Sequence, residues 1–543
     1  MKFKISLTIL VCLFFFTKLF SQAYYRVYFK DKNFTEYNPF NYLHPKAIER
    51  RILNGIDLCD SSDFPINENY LIQVAELSDS IRGTSRWMNA VFINANDKNI
   101  KTISNFYFVK KIEKVFKNIQ SSVCSINSND EQNADTILSY SKEKLAIAQT
   151  ERLEMYEFEN RNLRGQGILI CIIDVGFKGY KKNPALKHII NRNGIKGTYD
   201  FIKKDSYKNG GISHGSSVFT CIAGKTDDIK FGLATEADFL LARTENFMEF
   251  ISEEENWLMA AEWADKNGAD IINSSLGYTT HRYLPENMDG KTAFVSKAAQ
   301  IASDKGILVI SSAGNEGENK WKRITAPGDA KGILTVGAIS PSSGIHAGFS
   351  SFGPSFDKRI KPELTAYGKV ATWTNFGFTF LEGTSFSSPL VAGFAACAKQ
   401  YFKSSKNEEL RKIIIQSADM YPYYDYAHGY GVPKASQIFN KTSNDEATFT
   451  VNEDSLGFII KPIINKLTIK TDSALKKQIY KTKIPDYVFY SITNLNGNIH
   501  NYYIWDPQGA EFAYISINKS KWKMPYNINI FYRNYFKQIT VAK

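Results

Sequence analysis

A run of small hydroxyl residues at positions 381–398 contains candidate nucleophiles. It reads LEGTSFSSPLVAGFAACA, and four of the five residues from Thr384 to Ser388 are serine or threonine. A serine hydroxyl is a poor nucleophile unless a base takes its proton, and the base works best when a third group orients it. Ser385 is the candidate, because it opens a predicted helix whose free N–H groups favour developing negative charge. Pro389 is tolerable near the first turn of that helix.

Candidates for the base and the orienting group lie upstream. The chain has seven histidines, and His214 in GGISHGSSVFTCIAG precedes an apolar stretch, so its ring can lie at a helix start beside a cleft. Asp174 in CIIDVGF closes an apolar strand, where a buried carboxylate needs a cationic or hydrogen-bonding partner. An imidazole that becomes protonated during a reaction is a suitable partner.

Asn315 in SSAGNEG supplies a further chemical group, since its amide can donate to an oxyanion. Each candidate also has an ordinary explanation when taken alone. Ser385 is a possible helix N-cap, and His214 a capping or surface histidine. Asp174 and Asn315 are possible turn residues. The four together, each after a predicted strand or at a helix start, favour a catalytic site.

The stretch 145–441 is predicted to position these residues. Helical segments alternate with the apolar strands ILICIID, DIINS and ILVIS, which predicts a buried, mostly parallel sheet covered by helices on both faces. Sites in such sheets lie beyond the carboxyl ends of the strands. Asp174, Ser275 and Asn315 all end or follow such strands.

The flanking segments differ in composition. Residues 1–22 combine a basic start, a short apolar core and small residues before Ala23, which predicts a signal peptide. We predict a small α+β domain at 24–117, an exposed linker with the processing site at 118–144, and a separate all-β domain at 446–543.

Composition narrows the class of partner. Lys and Arg outnumber Asp and Glu by 67 to 55, but the charges are scattered, so a nucleic-acid partner is not favoured. After the signal segment no apolar run is long enough to span a membrane, which predicts a secreted chain with no transmembrane segment. The six cysteines show no metal-ligand spacing, and buried free thiols are expected.

IIDVGF, HGSSVFTCIAG and GTSFSSPLVAG, in the order Asp, His, Ser and with SSAGNEG between the last two, resemble the motifs of the subtilisin-like (subtilase) serine peptidases. The resemblance implies a subtilisin-like α/β fold and an endopeptidase in which Asp174 orients, His214 is the base and Ser385 attacks. Asn315 and the Ser385 N–H would bind the oxyanion. The residues that would line the substrate pocket are Ser275, Leu276, Gly277, Ser312, Ala313 and Gly314.

The same resemblance has implications for the flanking domains. Residues 24–117 resemble the family propeptide, an intramolecular inhibitor, which implies a zymogen. Residues 446–543 resemble the C-terminal, β-sandwich-like sorting domains of secreted Bacteroidetes proteins, which implies contact with secretion machinery and possible attachment to the cell surface. The chemistry needs no cofactor. Structural calcium is common in the family, but for the candidates Thr226–Asp228 and Asp329 a solvated loop is favoured.

Two departures from the family pattern are evident. Ser216 and Ser217 stand where the family usually has Thr and His, and Tyr367 stands where it has Pro.

Two other function classes remain as alternatives. One is a non-catalytic secreted binding protein on the same scaffold. The other is an esterase of the α/β-hydrolase type, which is disfavoured because no G-x-S-x-G surrounds Ser385.

Overall fold

The computed structural model describes residues 23–115, 141–207, 210–246, 252–279, 282–440, 446–455, 457–463, 486–507, 515–518, 521–522 and 525–542. The predicted signal segment and most of the predicted linker lie outside the described residues. The described chain forms an N-terminal, a central and a C-terminal unit, each with its own sheet or sheets. No helix of this described part is long and apolar enough to cross a membrane.

The N-terminal unit is an antiparallel sheet with helices. Its strands are β1 (Ala23–Phe29), β2 (Ser80–Ser85), β3 (Ala90–Ala95) and β4 (Val109–Val115), in the order β2-β3-β1-β4. Its helices are α1 (Pro39–Tyr42), α2 (Pro45–Asn54), α3 (Glu68–Glu76) and α4 (Asp97–Ser104). Alternate residues of β1 face opposite ways. Val27 packs against the unit's own helices, whereas Tyr28 packs in a core shared with the central unit.

The central unit contains a seven-stranded parallel sheet in the order β11-β10-β9-β8-β5-β7-β6. These strands are β5 (Leu169–Asp174), β6 (Ile195–Asp200), β7 (Asp238–Arg243), β8 (Ile271–Ser274), β9 (Leu308–Ser312), β10 (Leu334–Ile339) and β11 (Leu364–Tyr367). A hairpin of β12 (Lys369–Thr374) and β13 (Gly377–Glu382) follows. The helices are α5 (Lys142–Glu151), α6 (Met155–Glu159), α7 (Lys187–Asn191), α8 (His214–Ala223), α9 (Glu253–Lys266), α10 (Phe294–Asp304), α11 (Thr384–Tyr401), α12 (Asn407–Gln416) and α13 (Ala435–Phe439).

Helices bury both faces of this sheet, as the continuous apolar strands predict. Along β5, Ile170 and Ile172 belong to the core that includes α8 and α11. Cys171 and Ile173 belong to the opposite core, which includes α9 and α10. The predicted α/β fold is therefore confirmed.

The C-terminal unit consists of two antiparallel sheets that share one core. β14 (Phe449–Glu453), β15 (Gly457–Pro462) and β18 (Ile515–Asn518) form one sheet. β16 (Val488–Thr493), β17 (Ile499–Trp505), β19 (Tyr526–Tyr532) and β20 (Tyr535–Val541) form the other, in the order β17-β16-β19-β20. Phe458 and Ile460 of the first sheet pack in a cluster with Ile528 and Ile530 of the second, as expected for a sandwich-like arrangement.

The N-terminal unit is held on the central unit by buried ion pairs. Arg51, which is fully buried, pairs with Asp63 of its own unit and, at 2.5 Å, with Asp265 of α9. Arg50 pairs with the same Asp265. Breaking a buried pair leaves an uncompensated charge, so these contacts fix the position of the unit strongly.

Free cysteines are found at four described positions. Cys171, Cys221 and Cys397 are buried, as expected, but Cys59 is exposed. The expectation of buried thiols is therefore wrong for Cys59, which lies in the short connection after α2 and outside any core.

Candidate active site

The structure brings Asp174 and His214 into direct contact. Asp174 is the last residue of β5 and His214 the first of α8, so the strand end and the helix start meet. The Nδ1 atom of His214 lies 2.8 Å from Oδ1 of Asp174, and both side chains are buried. Burial lowers the pKa of His214, but the charge and hydrogen bond of Asp174 outweigh it, so this pKa lies above its usual value.

A second carboxylate, Glu245, acts on the same histidine. It is buried just beyond β7, and the Tyr278 hydroxyl donates to it at 2.6 Å. Burial raises the pKa of the Glu245 carboxyl to about 7, and its charge contributes to the raised pKa of His214. Sequence reasoning missed Glu245, because nothing in the letters RTEN marks this glutamate as buried.

Ser385 is the second residue of α11, and its surroundings are hydroxyl-rich. Its hydroxyl donates to the Ser275 carbonyl at 3.1 Å, and the Ser275 hydroxyl donates in return to the Ser385 carbonyl at 2.8 Å. His214 lies close by, since its ring centroid is 5.4 Å from that of Phe386. The contact of His214 is thus with the residue after the candidate nucleophile, while the Ser385 hydroxyl itself bonds Ser275 rather than the candidate base.

Pro389 lies inside α11 rather than near its first turn, and the helix continues through it to Tyr401. A proline has no N–H, so it cannot donate to the carbonyl four residues earlier, which is that of Ser385. Ser275 supplies the missing donor. The side-chain hydrogen bond explains why this proline does not end the helix.

Asn315 is held in one orientation by the residue before the candidate nucleophile. Its Oδ1 accepts from the Thr384 backbone N–H at 2.9 Å and from the Thr384 hydroxyl at 2.8 Å, which leaves its Nδ2 to donate elsewhere. A Cβ placed on Gly383 would lie 3.2 Å from that Nδ2, and the φ of Gly383 is +144°. The positive φ favours glycine there, and a side chain would in addition press on the Asn315 amide.

The predicted substrate-binding residues form two neighbouring segments, 275–277 and 312–314, here called the specificity segments. The Ser312 hydroxyl donates to the Leu276 carbonyl at 3.4 Å, and the side chains of Ser312 and Ala313 are fully buried. A Cβ on Gly277 or Gly314 would lie 2.5 Å or 2.3 Å from the Thr325 side chain. Thr325 therefore fills the space between the segments, a role that the sequence alone did not reveal.

The structure changes the interpretation of one of the calcium candidates, Asp329. Asp329 is fully buried, so the solvated-loop interpretation is wrong for it. Its carboxylate accepts from the Gly290 N–H at 2.7 Å and also from the Ser296 hydroxyl, because burial demands hydrogen-bond donors. Within the described residues no group of three or more His, Cys, Asp or Glu side chains is arranged to hold a metal ion.

Two family models and several known proteases match this chain. The model of the subtilase family matches residues 165–443, and the model of a Bacteroidota propeptide domain of peptidase family S8 matches residues 24–134. A thermostable alkaline protease of Halalkalibacterium halodurans is 28% identical over 267 residues, which are 48% of this chain and 64% of that protein. Subtilisin BL of Lederbergia lenta is 26% identical over 273 residues, 49% of this chain and 89% of its own length.

Solved structures show the same fold. Fervidolysin of Fervidobacterium pennivorans, described as a keratinolytic enzyme related to subtilisin, superposes with a TM-score of 0.51 at 15% identity, covering 94% of this chain and 71% of its own. The epidermin leader peptide processing protease of Staphylococcus aureus gives a TM-score of 0.53 at 16% identity, covering 78% and 99%.

Proposed function

Because the chain belongs to the subtilase family, we propose that it is a secreted serine endopeptidase, made as a zymogen, that cleaves protein or peptide substrates through an acyl-enzyme on Ser385. The observation that carries the proposal is the buried Asp174–His214 pair beside the helix start that contains Ser385. No cofactor takes part in the proposed chemistry.

In the proposed mechanism Asp174 fixes the ring of His214. Because Nδ1 faces Asp174 at 2.8 Å, the other ring nitrogen, Nε2, is left to accept a proton. The Ser385 hydroxyl turns about χ1, away from the Ser275 carbonyl, and gives its proton to Nε2 as its oxygen attacks the substrate carbonyl. The protonated His214 then donates to the leaving amine, and water hydrolyses the ester in the reverse sequence.

The oxyanion would be stabilised by Asn315 and the Ser385 backbone. Thr384 donates two hydrogen bonds to the amide oxygen of Asn315. The N–H₂ group of Asn315 is thereby left to donate to the developing charge. The Ser385 N–H lies in the first turn of α11, where backbone donors have no helical partner. The specificity segments would bind the substrate backbone, with Thr325 limiting the depth of the side-chain pocket.

The N-terminal unit would act as the intramolecular inhibitor, and cleavage in the linker would release it. The buried pairs of Arg50 and Arg51 with Asp265 support tight docking before release. Secretion through the signal segment, and an interaction of the C-terminal unit with secretion machinery, are part of the same proposal.

A serine-directed fluorophosphonate probe tests the proposal. We expect it to label the protein after removal of the N-terminal unit, and we expect Ser385→Ala to abolish the labelling. A casein-type assay should show turnover that His214→Ala reduces to background. If the processed wild-type protein remains unlabelled, the proposal is wrong, and equal background turnover of wild type and variant would favour a binding protein.

A further inference from the structure

A cavity of about 740 Å³ lies between the central and C-terminal units. Its central-unit wall is formed by residues 320–323, 352–354, 358 and 426, and its other wall by residues 498–500 and 502, at and just before the start of β17. Clefts between domains and of roughly 300 to 1,000 Å³ are the usual form of ligand sites. The Tyr424 hydroxyl bonds the Gly497 carbonyl at 2.5 Å and the Ile499 N–H bonds the Tyr426 hydroxyl at 3.2 Å, so both walls are fixed to each other.

The charge of this cavity has one sign. Four of its lining residues are cationic, and no Asp or Glu lines it among the described residues; the cations are Lys320, Lys322, Arg323 and Lys358. Of the acids nearest in sequence, Asp357 pairs with Arg359 at 2.7 Å and Glu316 accepts from the Asn319 amide, while Glu318 is exposed and does not line the cavity. Side chains of one sign in a cleft attract ligands of the opposite sign.

The lining of the cavity also contains aromatic rings. Trp321 and Tyr426 are buried, and the Phe352 ring stacks on His346 with the centroids 4.1 Å apart. The partly exposed Phe352 ring, held by this stacking, offers apolar area at a low entropic cost. The cavity is therefore suited to a ligand with acidic groups and apolar side chains.

The position of the cavity indicates which anionic ligand fits. Lys320, Lys322 and Arg323 lie on the loop that runs from Asn315 to Thr325, so one loop connects the candidate oxyanion site, this cavity and the specificity segments. The loop is fixed by the bond from the Thr325 N–H to the Ala313 carbonyl at 3.0 Å and by that from the Phe352 N–H to the Lys322 carbonyl at 2.8 Å. The same loop therefore contributes both to the candidate active site and to the wall of this cavity.

We propose that this cavity is a second substrate-binding site, which holds an acidic stretch of a polypeptide whose scissile bond lies at Ser385. This inference rests on the proposed function for its choice of a polypeptide. Tethering a substrate at a second point raises its local concentration at the first. Protein substrates with acidic stretches are then cleaved in preference to others.

Binding is tested in the Ser385→Ala protein, so that the probe is not consumed. The probe is a short peptide of alternating Glu and Tyr carrying an uncharged fluorophore, and its anisotropy gives the Kd. We expect the double variant Lys322→Glu, Lys358→Glu to bind about tenfold or more weakly, because attractive charges become repulsive. The matched control is Lys297→Glu, Lys331→Glu, which reverses two exposed lysines outside the cavity and should leave the Kd unchanged.

Three outcomes would overturn the inference. Equal weakening in both double variants would mean general attraction to a basic protein, and undiminished binding by the cavity variant would place the peptide elsewhere. Binding of a chondroitin sulfate oligomer, but not of the peptide, would make the cavity a polysaccharide site.

The proposed function is tested separately, by cleavage of a short neutral peptide by the active protein. The cavity variant should leave this cleavage unchanged. If the acidic peptide binds but the neutral peptide is not cleaved, the proposed function is refuted, whereas the preference of the cavity for acidic peptides is retained.

Discussion

At the scale of single residues, burial lowers the pKa of His214, and two carboxylates outweigh that effect and raise it. Asp174 is bonded to the ring, and the charge of the more distant Glu245 adds to the rise of the pKa of His214. The base must be neutral to accept a proton, so activity should rise with pH through this pKa. A higher pKa places that rise at a higher pH.

Replacing Glu245 with Gln should therefore shift the rise of kcat/KM to a lower pH, by a fraction of a pH unit. The amide keeps an acceptor for the Tyr278 hydroxyl but removes the negative charge that stabilises protonated His214. The pH profile of the processed protein measures this, with Glu286→Gln, an exposed acid, as the control. A profile that does not move, or one that moves to higher pH, would refute the electrostatic role of Glu245.

Thr325 is expected to set the size of the substrate side chain at the cleaved bond. Thr325→Gly removes the side chain that lies between the two specificity segments. We expect the ratio of kcat/KM for peptides with Phe and with Ala at that position to rise by about tenfold or more, since pocket volume discriminates by such factors. An unchanged ratio, with full activity on the Ala peptide, would mean that the pocket lies elsewhere.

The candidate catalytic residues could be predicted at this scale, but their neighbours could not. Asp174, His214 and Asn315 follow strands or begin helices, and the topology of a parallel sheet brings such positions to one edge. The roles of Glu245 and Thr325 depend on how loops return to that edge, which no local pattern encodes. Asp329 was misjudged for the same reason, because its burial comes from contacts with Gly290 and Ser296.

At the scale of elements, α11 depends on a hydrogen bond from Ser275, the residue that follows β8. The carbonyl of Ser385 has no helical donor, because Pro389 lacks an N–H, and it accepts a hydrogen bond from the Ser275 hydroxyl instead. An unsatisfied buried carbonyl costs about 1 to 3 kcal/mol. Helix α11 is therefore coupled to the end of β8.

Ser275→Ala should lower the free energy of unfolding by roughly 1 to 3 kcal/mol, because the Ser385 carbonyl is left without a donor. Adding Pro389→Ala restores a backbone N–H four residues later, so the double variant should recover part of the loss. Chemical denaturation of wild type, both single variants and the double variant forms the cycle. Strict additivity of the two changes would contradict the coupling.

The helices and parallel strands of the central unit could be predicted more securely than their connections. The apolar runs of β5, β8 and β9 match strands in the structure, because burial on both faces demands continuous apolar residues. The continuation of α11 through Pro389 could not be predicted, because the hydrogen bond that replaces the missing proline N–H comes from a residue more than a hundred positions away.

At the scale of the whole molecule, ion pairs connect the N-terminal and central units. Asp265 of α9 holds both Arg50 and Arg51, and Lys305 pairs with Asp63 at 2.9 Å. These charges are buried, so each depends on its partners. Release of the N-terminal unit requires them to separate into water.

Asp265→Asn should weaken this docking by about 3 to 5 kcal/mol, because Arg50 loses its carboxylate partner in a buried position. In the Ser385→Ala background, an added protease cuts the linker, and gel filtration shows whether the N-terminal unit stays bound. We expect it to separate in the variant and to stay bound in the parent and in Asp304→Asn, an exposed control on α10. Retention in all three proteins would show that the pairs with Asp265 are not needed to hold the unit.

The measurement that tests the central claim most directly is the combination of Ser385→Ala with His214→Ala. Residues that act as one catalytic unit lose their effect together, so each single variant and the double variant should show the same residual kcat, lower than wild type by a factor on the order of a million. Multiplied losses in the double variant, or a His214→Ala protein that turns over substrate at the wild-type rate, would contradict the account.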